Sequence, residues 1–244
     1  MKQNKYDEPD FYEAYKQMPR SVQGLKGAGE WHVLKSLVPD LVDKKVLDLG
    51  CGFGWHSRYF YDQGAKQVIG IDLSEKMIQT AREMTNQEGV DFKLGAIEDM
   101  AFEAGSFDMI FSSLALHYVM SYQDVVNNVK QLLAEEGEFL FSVEHPIFTA
   151  RAEQDWMYDS KGNIDHWPID HYQEESIRQT SFLTDHVVKY HRTLTTYLNT
   201  LLEAGFSIER VEEPKPDPDL LAQNPEYKEE LRRPMFLIIK AKVR

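Results

Sequence analysis

The chain has 244 residues, 42% hydrophobic and 12% aromatic, enough for a packed core, which excludes a disordered polymer and suits one domain with insertions. Forty acidic against 27 basic residues give a net charge of -13, the wrong sign for gripping phosphate backbones, so no nucleic-acid partner is expected. The single cysteine excludes an internal disulfide or a Cys-based zinc site, and no apolar run approaches the roughly 18 residues of a membrane span, so a cytoplasmic protein without membrane insertion or bound metal is expected.

Residues 1 to 41 carry balanced charge in their first thirty positions, with Tyr6, Phe11, Tyr12, Tyr15, Trp31 and Leu34 at helix-like spacings. This predicts one or two short amphipathic helices leading into the domain as a lid segment. From residue 42 two periods alternate. Strand-length apolar runs fall at 45–49, 67–71, 90–94, 107–111 and 138–143, and helix-compatible stretches at 55–63, 74–87 and 122–134, with Ser74 as an N-cap. Continuous apolar strands separated by helices imply a doubly wound α/β domain with a parallel sheet covered on both faces.

Residues 145 to 192 break this rhythm. They contain Trp156 and Trp167 with His145, His166 and His171, and predict a functional lid inserted in the domain. A strand at 187–191, a helix from about Thr193 stopped by Gly205, and closing strands at 206–211 and 235–243 complete the chain. The acidic, proline-rich connection between those last strands reads as a solvated excursion.

The stretch from Val46 to His56, VLDLGCGFGWH, leaves a strand, passes Gly50, Gly52 and Gly54, and enters a helix. Such a turn lets a ligand lie against the backbone, with unpaired helix N–H groups pointing into the crevice. Asp72 closes the next apolar run 22 residues after Gly50, near the spacing at which an acid meets ribose hydroxyls. The glycines do not follow the dinucleotide spacing G-x-G-x-x-G, and Asp48, two residues before the first of them, disfavours a diphosphate and suits an ammonium-bearing ligand. A nicotinamide-dependent oxidoreductase is therefore disfavoured.

These residues resemble the class I S-adenosylmethionine-dependent methyltransferases, and among them the ubiquinone and menaquinone methyltransferase-like group. The resemblance rests on DLGCGFGWHS, GIDLSEKMI, GAIEDMAF, FDMIFSSLALHYV and LLAEEGEFLFSVEHP in that order. It implies a Rossmann-like methyltransferase fold, seven mostly parallel strands with an antiparallel last strand, and S-adenosylmethionine as cofactor. Carried over, it places Gly50, Cys51 and Gly52 along the methionine moiety with Asp48 supporting the loop, Asp72 on the ribose, Leu73 and Met77 beside adenine, Ile97 and Glu98 at its edge, and Ser113 and Leu114 on the far side of the sulfonium pocket. Ala96 stands where relatives commonly carry Asp. His117 and His145 end apolar runs and are the candidate catalytic bases, since an imidazole titrates near neutrality. Tyr15, Trp31, Trp156 and Trp167 are candidates for packing on the positive sulfonium. The expected function is methyl transfer to a small-molecule acceptor; the other reading is a non-catalytic sensor of the same cofactor.

Overall fold

The computed structural model describes residues 3–244. Three short helices open the chain, α1 (Pro9–Lys16), α2 (Pro19–Val22) and α3 (Trp31–Leu37). The alternating part follows as β1 (Lys45–Leu49), α4 (Trp55–Asp62), β2 (Gln67–Asp72), α5 (Glu75–Glu83), β3 (Val90–Leu94), β4 (Phe107–Ser113), α6 (Tyr122–Leu132) and β5 (Leu133–Glu144). Next come α7 (Pro146–Thr149), two hairpins, β6 (Met157–Tyr158) with β7 (Ile164–His166) and β8 (Ile177–Phe182) with β9 (Thr184–Tyr190), then α8 (Leu194–Glu203), β10 (Phe206–Glu212), α9 (Pro218–Gln223) and β11 (Phe236–Val243).

Seven strands form one sheet in the order β10-β11-β5-β4-β1-β2-β3, and β11 runs antiparallel to both of its neighbours. This is the doubly wound architecture expected from the alternation of periods. Strand order reverses between β1 and β4, which opens a crevice at the carboxyl ends of the strands. Burial explains the apolar runs: β1, β4 and β5 are central, and the sheet carries one core with α6 and α8, around Leu47, Ile110, Phe139 and Leu201, and another with α3 and α4, around Leu34, Phe60, Phe111 and Leu140. Helix starts follow local chemistry. Ser74, Ser121 and Thr193 accept the amides of Met77, Asp124 and Thr196 through their hydroxyls.

The residues after β5, read as an inserted lid, include two hairpins. Arg178 on β8 holds this region by donating to the carbonyls of Ala150, His171 and Glu174. Among the described residues no helix is long and apolar enough to cross a membrane.

Candidate active site

The crevice is built first by the turn after β1. Gly50, Gly52 and Gly54 all have positive φ, but their surroundings differ. A Cβ on Gly54 would lie 2.4 Å from the Phe92 ring, so that glycine serves packing. A Cβ on Gly52 would meet only the Tyr15 hydroxyl, at an ordinary contact distance of 3.8 Å, so a left-handed backbone is the main demand at this position. The loop's amides differ from the expectation of free donors. Gly50 and Cys51 both donate to the Ile71 carbonyl at 2.9 Å, and Gly52 donates to Asp72 Oδ2 at 2.9 Å. A short strand-to-helix turn folds back on β2, which engages these groups.

Asp72 ends β2 and accepts the Gly52 amide on one oxygen and the Ser74 amide, at 2.9 Å, on the other. Each carboxylate oxygen has a second lone pair, which is the valence a pair of ribose hydroxyls requires. Burial raises its pKa, and the amides of Ser74 and Gly52 oppose that rise. Asp48 sits inside the sheet and accepts the Ser57 hydroxyl at 2.5 Å. Burial raises its pKa to about 7. A folded-state carboxyl raised in this way stabilises the fold below its unfolded pKa and loses that contribution as pH climbs through about 7. Asp48→Asn is therefore expected to flatten the fall in melting temperature between pH 4 and pH 8, measured by thermal unfolding across that range.

Of the other expected cofactor residues, Ile97 stands beside the turn, its Cδ1 3.6 Å from where a Cβ on Gly50 would be. Cys51 is buried against Ile78, Ala81 and Phe92, with its thiol pKa raised by burial and by the nearby Asp72 and Asp48. Met77 is a core residue of α5, and Leu73 precedes the Ser74 cap. Ala96 and Ile97 are buried at the turn after β3, with Glu98 following on a single 3-10 turn. Ser113 ends β4, and Leu114 next to it is held at φ 52° while its amide donates to the Ser142 carbonyl at 2.9 Å. A non-glycine residue in that region is strained, and such strain accumulates at functional sites.

A strap from the N-terminus runs between the start of α5 and β9. Asp7 caps α5 by accepting the Ser74 hydroxyl and the amides of Glu75 and Lys76, Asn4 donates to the Leu73 carbonyl, and Gln3 bonds His186 and Val188 of β9. Between these anchors Tyr6 lies against Tyr15 and Tyr118 at ring distances of 5.3 and 6.3 Å. Arg20 follows, with Nη2 3.0 Å from both oxygens of Glu30, and Ser113 Oγ donates to the same carboxylate at 3.4 Å. Tyr6 and Tyr118 entered the sequence reading only within a helical pattern and a motif, and Arg20 and Glu30 not at all, because strap and strand ends are far apart along the chain.

Of the four aromatic candidates, only Tyr15 stands at the glycine turn. Trp31 packs on His56 and Tyr59. Trp156 and Trp167 enclose Arg233 together with Phe148, the guanidinium lying 4.1 Å from the Trp167 ring centroid, so these indoles carry the protein's own cation.

The two histidines are more committed than expected. His145 caps α7: its Nδ1 accepts the Ile147 amide at 3.0 Å and its Nε2 lies 2.9 Å from Glu213 Oε1, so the proton resides on Nε2 and both nitrogens are engaged. Burial lowers its pKa while Glu213 opposes. His117 is buried after β4; its Nδ1 accepts the Glu144 amide at 3.4 Å, and burial pulls its pKa down to about 4. With Nδ1 accepting that amide, the ring proton resides on Nε2. Arg192 fixes this loop by donating to the carbonyls of Leu116, Val119 and Met120. Beside His117, Glu144 accepts Lys189 at 2.6 Å and Gln154 at 3.0 Å. Burial drives the Glu144 carboxyl upward, but Lys189, His117 and these hydrogen bonds outweigh it and hold the pKa below the ordinary value. Among the described residues no three His, Cys, Asp or Glu side chains are grouped to hold a metal ion.

Comparison with known proteins adds what geometry alone does not. A family model described as a methyltransferase domain matches residues 47–141. Over its length the chain is similar to a Listeria monocytogenes protein described as an S-adenosylmethionine-dependent methyltransferase, with 50% identity, TM-score 0.83, and 89% of this chain and 99% of that one covered. It is also similar to an S-adenosylmethionine-dependent methyltransferase of Mesorhizobium loti, with 43% identity, TM-score 0.84, and 90% and 100% covered. A tRNA U34 carboxymethyltransferase of Methylococcus capsulatus is 33% identical over 46% of this chain, which spans 35% of that protein. With a relative that acts on tRNA, the acidic net charge does not by itself exclude a nucleic-acid acceptor.

Proposed function

The chain belongs to the S-adenosylmethionine-dependent methyltransferases, and from that premise we propose that it methylates a small molecule in the crevice between the glycine turn and the strap. The observation that carries this reading is the N-terminal segment beside Gly52: the Tyr15 hydroxyl stands 3.8 Å from where a Cβ would be, and the strap is pinned on both sides by Gln3, Asn4 and Asp7. A site bordered by this N-terminal strap suits a small acceptor better than a folded nucleic acid, and the net charge of -13 agrees. The five motifs in order, from Asp48 to Pro146, are the support for a place in the ubiquinone and menaquinone methyltransferase-like group.

In this reading Asp72 holds the ribose hydroxyls of the cofactor. Gly50, Cys51 and Gly52 border its amino-acid part with Asp48 beneath, Leu73, Met77, Ile97 and Glu98 surround its base, and Ser113 and Leu114 bound the methyl-bearing end. When bound, S-adenosylmethionine supplies an activated methyl group on a sulfonium. The chain supplies alignment and exclusion of water, worth on the order of 7 to 11 kcal/mol when reacting atoms are well placed. His145 serves as a cap that orients the chain after β5, and His117, with its Nδ1 engaged, presents its Nε2 proton toward the acceptor.

The test is transfer of a labelled methyl group from the cofactor into a cell extract fractionated by size. Label is expected in the small-molecule fraction. Label confined to RNA or protein would overturn the proposal.

A further inference from the structure

A second cavity, of about 240 Å³, lies between the N-terminal segment and the excursion that joins β10 to β11. Its walls are mostly apolar, with Met18, Pro19, Pro214, Leu220 and Phe236 among them, and Arg20 on the side toward the crevice. The volume lies just below that of drug-sized ligand pockets, which run from about 300 to 1,000 Å³, and suits a smaller molecule. Phe236 pairs with Glu144 at the carboxyl end of β5, so the cavity opens at the same end of the sheet as the glycine turn.

Arg20 links the two spaces. Its guanidinium meets Glu30, which also receives the Ser113 hydroxyl, and it is electrostatically coupled to Tyr15 and Tyr6. The partners are unequally exposed: the Glu30 side chain is 0% accessible and that of Arg20 is 20%. Arg20 and Lys215 line the cavity as cations and Glu30 does not, while the one lining carboxylate, Glu230, is paired with Arg233 at 2.8 Å. A guanidinium has five donors, so the contacts to Glu30 leave others for an incoming acceptor group.

We propose that this cavity takes the apolar body of the methyl acceptor and that the reacting group, held by Arg20, is a carboxylate. The assignment rests on the methyltransferase reading above. A second observation supports it. The histidines at the ends of β4 and β5 have their Nδ1 atoms accepting amides, and Glu144 between them is paired with Lys189, so this polar cluster offers no ready base. A carboxylate needs none, because it is already ionised at neutral pH. One of its oxygen lone pairs forms the new C–O bond as the S–CH3 bond breaks and that electron pair passes to sulfur. The sulfonium and carboxylate charges cancel, and no proton is released.

The experiment uses the full chain with labelled cofactor and three eight-carbon probes, octanoate, octanol and octylamine, with products identified by mass. Methyl octanoate is expected as the main product. Leu220→Trp, which fills the cavity from its rim, is expected to lower transfer to octanoate by at least about ten-fold while calorimetric affinity for S-adenosylhomocysteine stays unchanged. Arg20→Met is expected to weaken binding of octanoate to the S-adenosylhomocysteine complex by about ten-fold or more and that of octanol little. Preference for the amine or alcohol, absence of octanoate binding and transfer, or wild-type octanoate turnover by Leu220→Trp would each overturn the proposal. Failure of the wild-type protein to bind S-adenosylhomocysteine would instead remove the reading beneath it.

Discussion

Asp72→Ala is expected to weaken binding of S-adenosylhomocysteine by on the order of 100-fold or more, measured by titration calorimetry. Hydrogen bonds to a charged acceptor contribute about 1.5 to 3 kcal/mol each, and two ribose hydroxyls lose theirs together. The substitution also frees the amides of Gly52 and Ser74, each held at 2.9 Å, so the turn and the start of α5 lose their common anchor. Asp72→Asn retains one acceptor oxygen and is expected to lose roughly ten-fold. Because burial raises the Asp72 carboxyl, affinity should decline on acidification from a higher pH than an exposed aspartate would produce. Unchanged affinity in Asp72→Ala, with the fold intact by circular dichroism, would remove the ribose assignment.

The second large effect is on stability. Lys189 is 1% exposed and is the partner of Glu144, which joins the β8–β9 hairpin to the end of β5. Lys189→Met leaves Glu144 buried without its cation, a change that costs about 3 to 5 kcal/mol. For a chain of this size that corresponds to a fall in melting temperature of roughly 10 °C or more. Lys189→Met combined with Glu144→Gln is expected to recover most of the loss, because no charge is then stranded. The pH dependence has a definite sign. Glu144 is held below its ordinary value of 4.5, so its contribution is complete above that value and disappears as pH falls through the lower folded-state pKa. The single variant should therefore differ most from wild type at neutral pH and converge on it in acid. Equal melting temperatures at pH 7 would show that the pair contributes nothing.

The sequence carried the alternating part of the fold almost residue by residue. The runs at 45–49 and 90–94 coincide with β1 and β3, and Ser74, Thr193 and Gly205 mark helix boundaries as local chemistry requires. The run at 138–143 found only the second half of β5, which begins at Leu133 where the helical stripe of α6 continues in sequence but the backbone turns extended. Periodicity cannot locate such a switch, since apolar residues suit either element at a buried seam. The region after β5 was legible as an interruption and not as two hairpins, because β6 and β7 together are five residues with little apolar alternation.

The site divides in the same way. Asp48, the three glycines and Asp72 could be read directly, because a strand, a turn, a helix and the next strand fix their relative positions over about 25 residues of chain, and local geometry leaves them one arrangement. Tertiary packing alone decided which aromatic rings reach that turn. It brought Tyr6, Tyr15 and Arg20 to the crevice and gave Trp156 and Trp167 to Arg233. It also decided the protonation of His117 and His145, since a histidine's tautomer is set by the amide or carboxylate it meets, and those partners belong to the folded surroundings and not to the histidine's place in the sequence.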